Sequence, residues 1–305
     1  MARIIHHKQK LSDKFGVGLV KFAFRFKAAR ERYNFKFKFI FTNQLSKDYS
    51  FGKKIEKSVL NVNGIKTEVI KYKNETPKFA LIQLHGGAYV SGLNDSYRRV
   101  AKRYLKINPN LEIYSLCYSL APEHPFPKAL EESIDLYKHL LKNKYDNNHI
   151  FIVGDSAGGG LALATVLALK DKMIPLPRSI ITMSAWTDLA GEGESHTKNV
   201  DCDPFFGKGT IPLDKEAYAQ DNDLHHPYIS PKYGDFEGFP DTLMFVGGNE
   251  LIESDTLDVG NKITNAIVHD FEGMFHVFPF GLNKMASSRK SWEIIDEFIN
   301  KQIRS

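Results

Sequence analysis

The sequence predicts an α/β fold in which a mostly parallel central sheet is flanked by helices. From about residue 56 onward, short β-rich runs alternate with segments of helical length, an order typical of a layered α/β domain. Most predicted strands are continuous apolar runs, as expected of strands covered on both faces. Of the 305 residues, 42% are hydrophobic and 25% are charged, which excludes a disordered or fibrous chain.

The first fifty residues differ from the rest of the chain in charge and in pattern. Residues 1–47 hold twelve Lys or Arg and two acids, which leaves 29 basic against 34 acidic residues elsewhere. Apolar residues recur at three- and four-residue steps over 11–33, with basic residues between them, which predicts an amphipathic basic helix. We expect His6 and His7, which precede it, to lie at a mobile end. The aromatic run 35–41 alternates with strand period but is assigned to no element.

The remaining predicted elements follow in alternation. A hairpin is predicted over 59–73, because its dipeptide Asn63-Gly64 suits the positive φ of a tight turn. Further strands are predicted at 79–84, 111–118, 150–154, 180–185, 242–246 and 266–271. Helices are predicted at 97–107, 128–144, 157–170, 254–265 and 284–303. We interpret 187–240, which fits this alternation poorly, as an insertion over the carboxyl edge of the sheet around one helix at 213–220.

Charge, cysteine count and hydropathy exclude several functional classes. The net charge of +5 is too small to indicate nucleic acid as a main partner. Two cysteines, Cys117 and Cys202, make no disulfide framework, so we expect a reducing, cytoplasmic location. We also expect neither a signal peptide nor a transmembrane helix, since the longest apolar stretch, 161–169, is far too short to span a membrane.

A motif typical of a serine nucleophile follows the predicted strand at 150–154. The run Gly154-Asp-Ser156-Ala-Gly158 is Gly-x-Ser-x-Gly, and it leads into a helix of small residues. On such a sharp turn the serine hydroxyl stands clear of the sheet, and small neighbours give it steric room. The helix start also brings backbone N–H groups toward a developing oxyanion. A Gly-Ser turn without chemistry is the alternative, but the strand and helix around the motif favour Ser156 as a nucleophile.

A second loop of small residues follows the predicted strand at 79–84. In His85-Gly-Gly-Ala88, consecutive small residues let backbone N–H groups turn toward a ligand, as stabilisation of a tetrahedral oxyanion requires. His85 is a conceivable base, but a histidine at a strand end is more often a structural hydrogen-bonding group. We therefore predict that His85 holds the loop, and that Glu123, in a Pro-rich turn, braces it.

Candidates for a base and its carboxylate follow the last two predicted strands. A serine needs a base, and the base needs an orienting carboxylate. His276 lies in a loop at the carboxyl edge of the sheet, from which it can reach Ser156. The preceding loop offers three acids, of which Glu250 is nearest the strand end and Asp255 is expected in the first turn of the next helix. The order Ser156, Glu250, His276 is that of nucleophile, acid and histidine in α/β-hydrolases.

Five motifs occur in a specific order and spacing. They are His85-Gly-Gly-Ala, Tyr118-Ser-Leu-Ala-Pro-Glu-His-Pro-Phe-Pro127, Gly154-Asp-Ser-Ala-Gly-Gly159, Ser184-Ala-Trp-Thr-Asp-Leu189 and Gly273-Met-Phe-His-Val-Phe278. Together they resemble the hormone-sensitive-lipase-like family of carboxylesterases, a bacterial esterase and lipase group with a cap formed by N-terminal helices. The resemblance covers roughly residues 56–300. It implies an α/β-hydrolase domain at 51–305 and a basic cap segment at 1–50, with 187–240 contributing to the cap.

The resemblance also implies the roles of the site residues. Ser156 is implied as nucleophile, His276 as general base and Glu250 as acid. The family more often has Asp at the acid position, so Asp255 stays the alternative acid. An oxyanion hole is implied from backbone N–H groups of the two glycine-rich motifs. Its candidates are Gly86, Gly87, Ala88 and Ala157.

Other chemical candidates are weaker. Tyr89 and Phe205 are candidates to line an acyl or alcohol pocket, although aromatic residues are more often core. The close spacing of Asp201, Cys202 and Asp203 suggests a metal site, but we favour a loop kink before the proline that follows. We therefore expect neither a metal nor a cofactor.

The main functional hypothesis is a serine carboxylesterase acting on short- to medium-chain acyl esters through an acyl-enzyme. An amide hydrolase or deacetylase with the same triad, and a non-catalytic small-ligand binder on the same fold, are the alternatives. The expected partner is a small-molecule ester. We expect the N-terminal helix to form a wall of the pocket as part of the cap, and peripheral contact of its apolar face with a membrane is the other hypothesis. A second copy of the chain, in a homodimer, is a further candidate partner.

Overall fold

The computed structural model confirms the α/β fold. It describes residues 2–31, 45–207, 215–281 and 284–305. The strands are β1 Arg3–His7, β2 Ile55–Val62, β3 Ile65–Tyr72, β4 Phe79–Leu84, β5 Leu111–Leu116, β6 Ile150–Asp155, β7 Ser179–Met183, β8 Asp241–Gly247 and β9 Ala266–Phe271. Within the described ranges they form one sheet of nine strands in the order β1-β9-β8-β7-β6-β4-β5-β3-β2. Strand β3 is antiparallel to β2 and to β5, and all other neighbours are parallel.

The predicted strands are found within a few residues of their expected bounds. The hairpin of β2 and β3 turns at Asn63 and Gly64, with φ of 52° and 91°, as a tight turn of this kind requires. Strand β6 is covered on both faces, since Ile152 belongs to one apolar core and Phe151 to the other. Burial on both faces therefore explains its continuous apolar run, as predicted.

The helices lie on both sides of this sheet. They are α1 Leu11–Glu31, α2 Asp95–Leu105, α3 Lys128–Asn143, α4 Ala157–Asp171, α5 Ser195–Lys198, α6 Lys215–Ala219, α7 Glu253–Lys262 and α8 Ala286–Arg304. Helices α3, α4 and α7 contribute to one core, whereas α2 and α8 contribute to the other. The crossover helices between parallel strands thus cover both faces, as the alternation of elements predicts.

Strand β1 is an element that the sequence pattern did not predict. Residues Arg3–His7 pair in parallel with β9 at the edge of the sheet. The His7 ring stacks on Phe271 with 4.0 Å between centroids, and His7 Nε2 is 2.8 Å from His269 Nδ1. The expectation that His6 and His7 lie at a mobile end is therefore wrong, because both belong to the sheet.

Helix α1 is present, but over residues 11–22 its buried face is not the apolar face seen in the sequence. Asp13 is fully buried and accepts hydrogen bonds from the Ser287 N–H and hydroxyl groups at 3.0 and 2.9 Å. Val17, on the same face, joins the core beside α8. Among the described residues, the large apolar side chains of the other face are exposed: Leu11, Phe15, Leu19 and Phe22.

The stretch 187–240 connects β7 to β8 and is mostly loop in its described part. Helix α6 lies within the predicted helix 213–220, of which 213–214 lie outside the described residues. The aromatic run 35–41 lies outside them as well. None of the helices in the described ranges has the length and apolarity needed to cross a membrane.

Candidate active site

Ser156 lies at the sharp turn between β6 and α4. Its φ of 52° and ψ of −124° are rarely adopted by residues other than glycine, and such strain is typical of functional turns. The turn packs closely on its neighbours: a Cβ at Gly158 would lie 2.2 Å from the Leu84 carbonyl oxygen. A Cβ at Gly154 would lie 2.1 Å from the Gly158 carbonyl oxygen. The small residues of the motif are therefore required by close approach of the backbone.

The loop after β4 lies against this turn. It passes through positive φ at Gly87 and Ala88, with values of 116° and 52°. A Cβ at Gly86 would lie 2.5 Å from the Asp155 carboxylate, so only glycine fits there. These loop residues line the same cavity as Ser156. The loop therefore lies beside the serine, which is where an oxyanion hole requires backbone N–H groups.

The Gly86 N–H already donates hydrogen bonds to other groups of the protein. It donates to the Tyr97 hydroxyl at 2.8 Å and to Asp155 Oδ1 at 3.2 Å, while the Tyr97 hydroxyl donates to Asp155 Oδ2 at 2.9 Å. The prediction that Gly86 supplies an oxyanion N–H is therefore wrong. Burial raises the pKa of Asp155 to about 7, and the Tyr97 hydrogen bond opposes that shift. The remaining candidate donors are Gly87, Ala88 and Ala157.

His276 and Glu250 form a buried pair at the wall of the cavity. His276 Nδ1 is 2.9 Å from Glu250 Oε2, which leaves Nε2 as the ring nitrogen free to act on a ligand. Glu250 Oε1 accepts from the Ser184 hydroxyl at 2.7 Å and from the Gly247 N–H at 2.6 Å. Ser184 Oγ also accepts from the Val277 N–H at 2.9 Å, so it joins the acid to the histidine loop. Burial raises the pKa of Glu250, and the hydrogen bonds from His276 and Ser184 oppose this.

Asp255 lies in the first turn of α7, as predicted, but it contacts a different histidine. Its Oδ1 is 2.7 Å from His196 Nε2, and its Oδ2 accepts from the Thr187 N–H at 2.9 Å. The side chain is fully buried, and burial raises the pKa of its carboxyl group. Of the two candidate acids, Glu250 is therefore the one bound to His276, whereas Asp255 anchors the loop after β7.

Asp255 belongs to a buried polar cluster with Asp188 and His196, whose ligand atoms lie within 4.8 Å of one another. The Lys232 ammonium donates to Asp188 Oδ2 at 2.9 Å. Asp188 also accepts N–H bonds from the loop at 191–193. Because two acids here face two basic groups, the arrangement favours a hydrogen-bonded anchor for the loop.

His85 holds the oxyanion loop, as predicted. Its Nδ1 donates to the Gly86 carbonyl at 2.9 Å, and its ring stacks on Tyr118 with 4.0 Å between centroids. Complete burial lowers the pKa of His85 to about 4, so the ring is neutral at pH 7. The Tyr118 hydroxyl donates to the His85 carbonyl at 2.6 Å. The prediction that Glu123 braces this loop is wrong, because Glu123 is exposed and Tyr118 does so instead.

The cavity at Ser156 has a volume of about 1250 Å³, and aromatic side chains form part of its wall. Phe205 lines it, as predicted, and stacks on Phe275 with 5.7 Å between centroids. The Phe206 ring lies 4.6 Å from that of His276. Asp203 Oδ1 accepts from the Phe205 and Phe206 N–H groups at 2.6 and 3.1 Å, which agrees with the predicted loop kink.

Tyr89, the other predicted pocket residue, does not line this cavity. It is 1% exposed and stacks on Tyr218 with 3.6 Å between centroids. A Cβ at Gly160 would lie 3.3 Å from its hydroxyl oxygen. The prediction that Tyr89 contacts substrate is therefore wrong, and its place is in the core beneath the loop.

Comparison with known proteins agrees with this fold. Residues 81–280 match a family model described as alpha/beta hydrolase fold. Over 226 residues the chain is 32% identical to an acetyl-hydrolase of Streptomyces hygroscopicus, covering 72% of this chain and 74% of that protein. The chain belongs to the alpha/beta hydrolase fold family.

Other relatives of this hydrolase are named esterases. One is an esterase of Acinetobacter venetianus, 29% identical and covered to 74% in both chains. Among solved structures, an esterase from the bacterial hormone-sensitive lipase family matches 94% of this chain and 98% of its own, with a TM-score of 0.79 and 28% identity. EstE5, in a crystal soaked with p-nitrophenyl butyrate, matches 95% of this chain and 99% of its own, with a TM-score of 0.83 and 26% identity. The predicted resemblance to hormone-sensitive-lipase-like esterases is confirmed.

Proposed function

We propose that this hydrolase is a serine carboxylesterase that cleaves short- to medium-chain acyl esters through an acyl-enzyme, with Ser156, His276 and Glu250 as its triad. The broad class, carboxylic ester hydrolase, follows from the family and from relatives named esterases. The observation that carries the finer proposal is the Glu250–His276 pair, which lies at the wall of the cavity that Ser156 also lines.

The proposed reaction uses each group in a defined role. Ser156 Oγ attacks the ester carbonyl while His276 Nε2 takes its proton, and Glu250 stabilises the imidazolium through Nδ1. The N–H groups of Gly87, Ala88 and Ala157 stabilise the oxyanion. His276 then protonates the leaving alcohol. A water molecule, deprotonated by His276, attacks the acyl-enzyme and releases the carboxylic acid.

The wall of the cavity supports the proposed substrate class. Phe205, Phe206 and Phe275 offer apolar surface to an acyl chain. Tyr49 and the two phenylalanines of 205–206 come from the two segments assigned to the cap, 1–50 and 187–240. Because these side chains line the cavity, we infer that both segments contribute to a cap over the site. Residues 3–7 of the first segment belong to the sheet instead.

Amide hydrolysis is the competing activity on the same triad. Relatives named acetyl-hydrolase leave open which bond is cleaved. Turnover of p-nitrophenyl butyrate and of the amide butyryl-p-nitroanilide, which share the acyl group, distinguishes the two activities. The proposal expects the ester to be strongly preferred.

The test of the proposed function is the substitution Ser156→Ala. It should lower kcat for p-nitrophenyl butyrate by about a thousandfold or more, because no nucleophile remains. Circular dichroism and the unfolding midpoint should stay close to those of the wild type. A folded variant that keeps a tenth of wild-type turnover would overturn the assignment.

A further inference from the structure

A row of basic side chains lines the cavity of Ser156 on the side formed by α2. The residues recur at three- and four-residue steps and so share one face of the helix. This basic row consists of Arg99, Lys102, Arg103 and Lys106, and Arg289 of α8 lies beside it. Asp155 is the single acid that lines the cavity in the described part of the chain.

Within the described part of the chain, Arg99 and Lys102 form no ion pair with an acid. Arg99 donates to the neutral Ser96 hydroxyl at 2.8 Å, and Lys102 has no ion pair among the described residues. Arg98, on the other face of α2, is by contrast bound by Glu68 at 2.5 Å and by Asp95 at 2.9 Å.

The other basic side chains of the cavity have acids nearby. Arg103, Lys106 and Arg289 also line a shallow groove beside the cavity. The far wall of this groove carries three acids of α8: Glu293, Asp296 and Glu297. Arg99 and Lys102 line the cavity of Ser156 but not that groove with its three acids.

The stretches whose side chains the structure does not describe are net basic in sequence. They contain two acids, Glu31 and Asp214. Their basic residues are Arg25, Lys27, Arg30, Arg32, Lys36, Lys38 and Lys208. These stretches therefore add net positive charge to the molecule.

Helix α2 joins these cations to the reacting centre. The Gly86 N–H of the oxyanion loop donates to the Tyr97 hydroxyl at 2.8 Å, which fixes the start of α2 against that loop. Arg99 and Lys102 follow Tyr97 on the same helix, and both line the cavity that Ser156 lines. A substrate that extends along this cavity from Ser156 toward α2 can therefore contact both cations.

We propose that the natural substrate is an ester carrying a negatively charged group, a carboxylate or a phosphate, that Arg99 and Lys102 bind while the carbonyl lies at Ser156. The inference rests on the proposed function, because it assigns the charge of the substrate for that site. A guanidinium and an ammonium group in a partly enclosed cavity bind such an anion through charge-assisted hydrogen bonds.

The test compares pairs of soluble esters that differ in charge alone. One pair is a p-nitrophenyl hemi-ester of a dicarboxylic acid and its terminal carboxamide, which puts the charge on the acyl side. The other is 4-acetoxybenzoate and 4-acetoxybenzamide, which puts the charge on the alcohol side. We expect kcat/KM to favour the anion in at least one pair by about tenfold, and less at high salt. The double variant Arg99→Gln/Lys102→Gln should abolish that preference.

A matched control is Lys138→Gln/Lys142→Gln, which removes the same charge from exposed positions on α3, away from the cavity. It should keep the preference. Equal kcat/KM within both wild-type pairs, or an equal loss of preference in the control, would overturn the inference while leaving ester hydrolysis intact. The same follows if the Arg99/Lys102 variant loses only co-sedimentation with anionic phospholipid vesicles, since the cations would then serve a membrane surface.

A binding measurement separates this inference from the proposed function. Calorimetry with Ser156→Ala gives Kd values for the intact hemi-ester and its carboxamide, whether or not the wild type cleaves them. Tighter binding of the anion, lost on adding Arg99→Gln/Lys102→Gln, supports the inference. Equal Kd values for the two ligands would overturn it.

Discussion

Glu250 and Asp255 are two buried carboxylates, each bound to a histidine, with different tasks. Glu250 contacts His276 at the cavity wall, whereas Asp255 contacts His196 and holds the loop after β7. Both carboxyl groups are fully buried, so burial alone does not distinguish them. The distinction lies in which histidine lines the cavity, and that histidine is His276.

We therefore expect Glu250→Gln to act on turnover and Asp255→Asn to act on stability. Glu250→Gln should lower kcat by about a hundredfold or more, because the amide no longer stabilises the imidazolium of His276. Asp255→Asn should lower the free energy of unfolding by about 1–3 kcal/mol, since it weakens several buried hydrogen bonds. Steady-state kinetics and urea unfolding of both variants check this. The reverse pattern would move the catalytic acid to Asp255.

The sequence predicted Ser156, His276 and Glu250 because each follows a strand whose apolar run is visible. It did not predict the roles of Tyr97 and Ser184, which depend on contacts with residues 58 and 66 positions away. Ser184 falls inside a quoted motif, and that was the available signal for it. Tyr97 carried no local signal, because a tyrosine in the first turns of a helix is ordinary.

At the scale of elements, the sequence specified the strands better than the faces of the helices. Strand β4 was predicted at its observed bounds from its apolar run. Strand β1 was missed, since five residues with two histidines at a sheet edge show no such run. In α1 the packing of Gly16 against Met285 and the hydrogen bonds of Asp13 select the buried face, so small and polar residues override the apolar pattern there.

The exposed apolar face of α1 leads to a prediction about membrane binding. Leu11 and Phe15 are 84% and 78% exposed, and neither lines the cavity. We expect Leu11→Ser/Phe15→Ser to reduce co-sedimentation with anionic phospholipid vesicles severalfold, because basic amphipathic helices bind through such side chains. Hydrolysis of a soluble ester should stay within about twofold, since the buried face is unchanged.

Point substitutions are preferable to truncation for this test. Deleting residues 1–47 would also remove β1 and its pairing with β9. Vesicle binding that is unaffected by Leu11→Ser/Phe15→Ser would exclude the membrane role of this face. A large loss of activity on the soluble ester would instead indicate that the face belongs to the cap.

At the scale of the whole molecule, buried histidines make stability depend on pH. Burial lowers the pKa of both His85 and His269 from 6.5 to about 4. Between these values the unfolded chain binds protons that the folded chain does not, so stability falls as pH drops, by up to about 1.4 kcal/mol per unit for each histidine. Asp155 acts in the opposite direction, because burial raises its pKa to about 7.

The contribution of His269 can be isolated by substitution. Between pH 7 and pH 5 we expect the free energy of unfolding to fall by roughly 1–2 kcal/mol more in the wild type than in His269→Gln. Urea unfolding at both pH values measures this difference. The control His124→Gln changes an exposed histidine and should follow the wild type. Identical pH dependence in wild type and His269→Gln would contradict the account.

The central claim is that Ser156 is the nucleophile of a carboxylesterase, and covalent labelling tests it most directly. A serine-directed p-nitrophenyl phosphonate should release one equivalent of p-nitrophenol and abolish hydrolysis of p-nitrophenyl butyrate in step with labelling. Peptide mass spectrometry should find the adduct on Ser156 alone, and none in Ser156→Ala. An adduct on another residue that accounts for the inactivation, or undiminished hydrolysis by protein fully labelled at Ser156, would contradict the account.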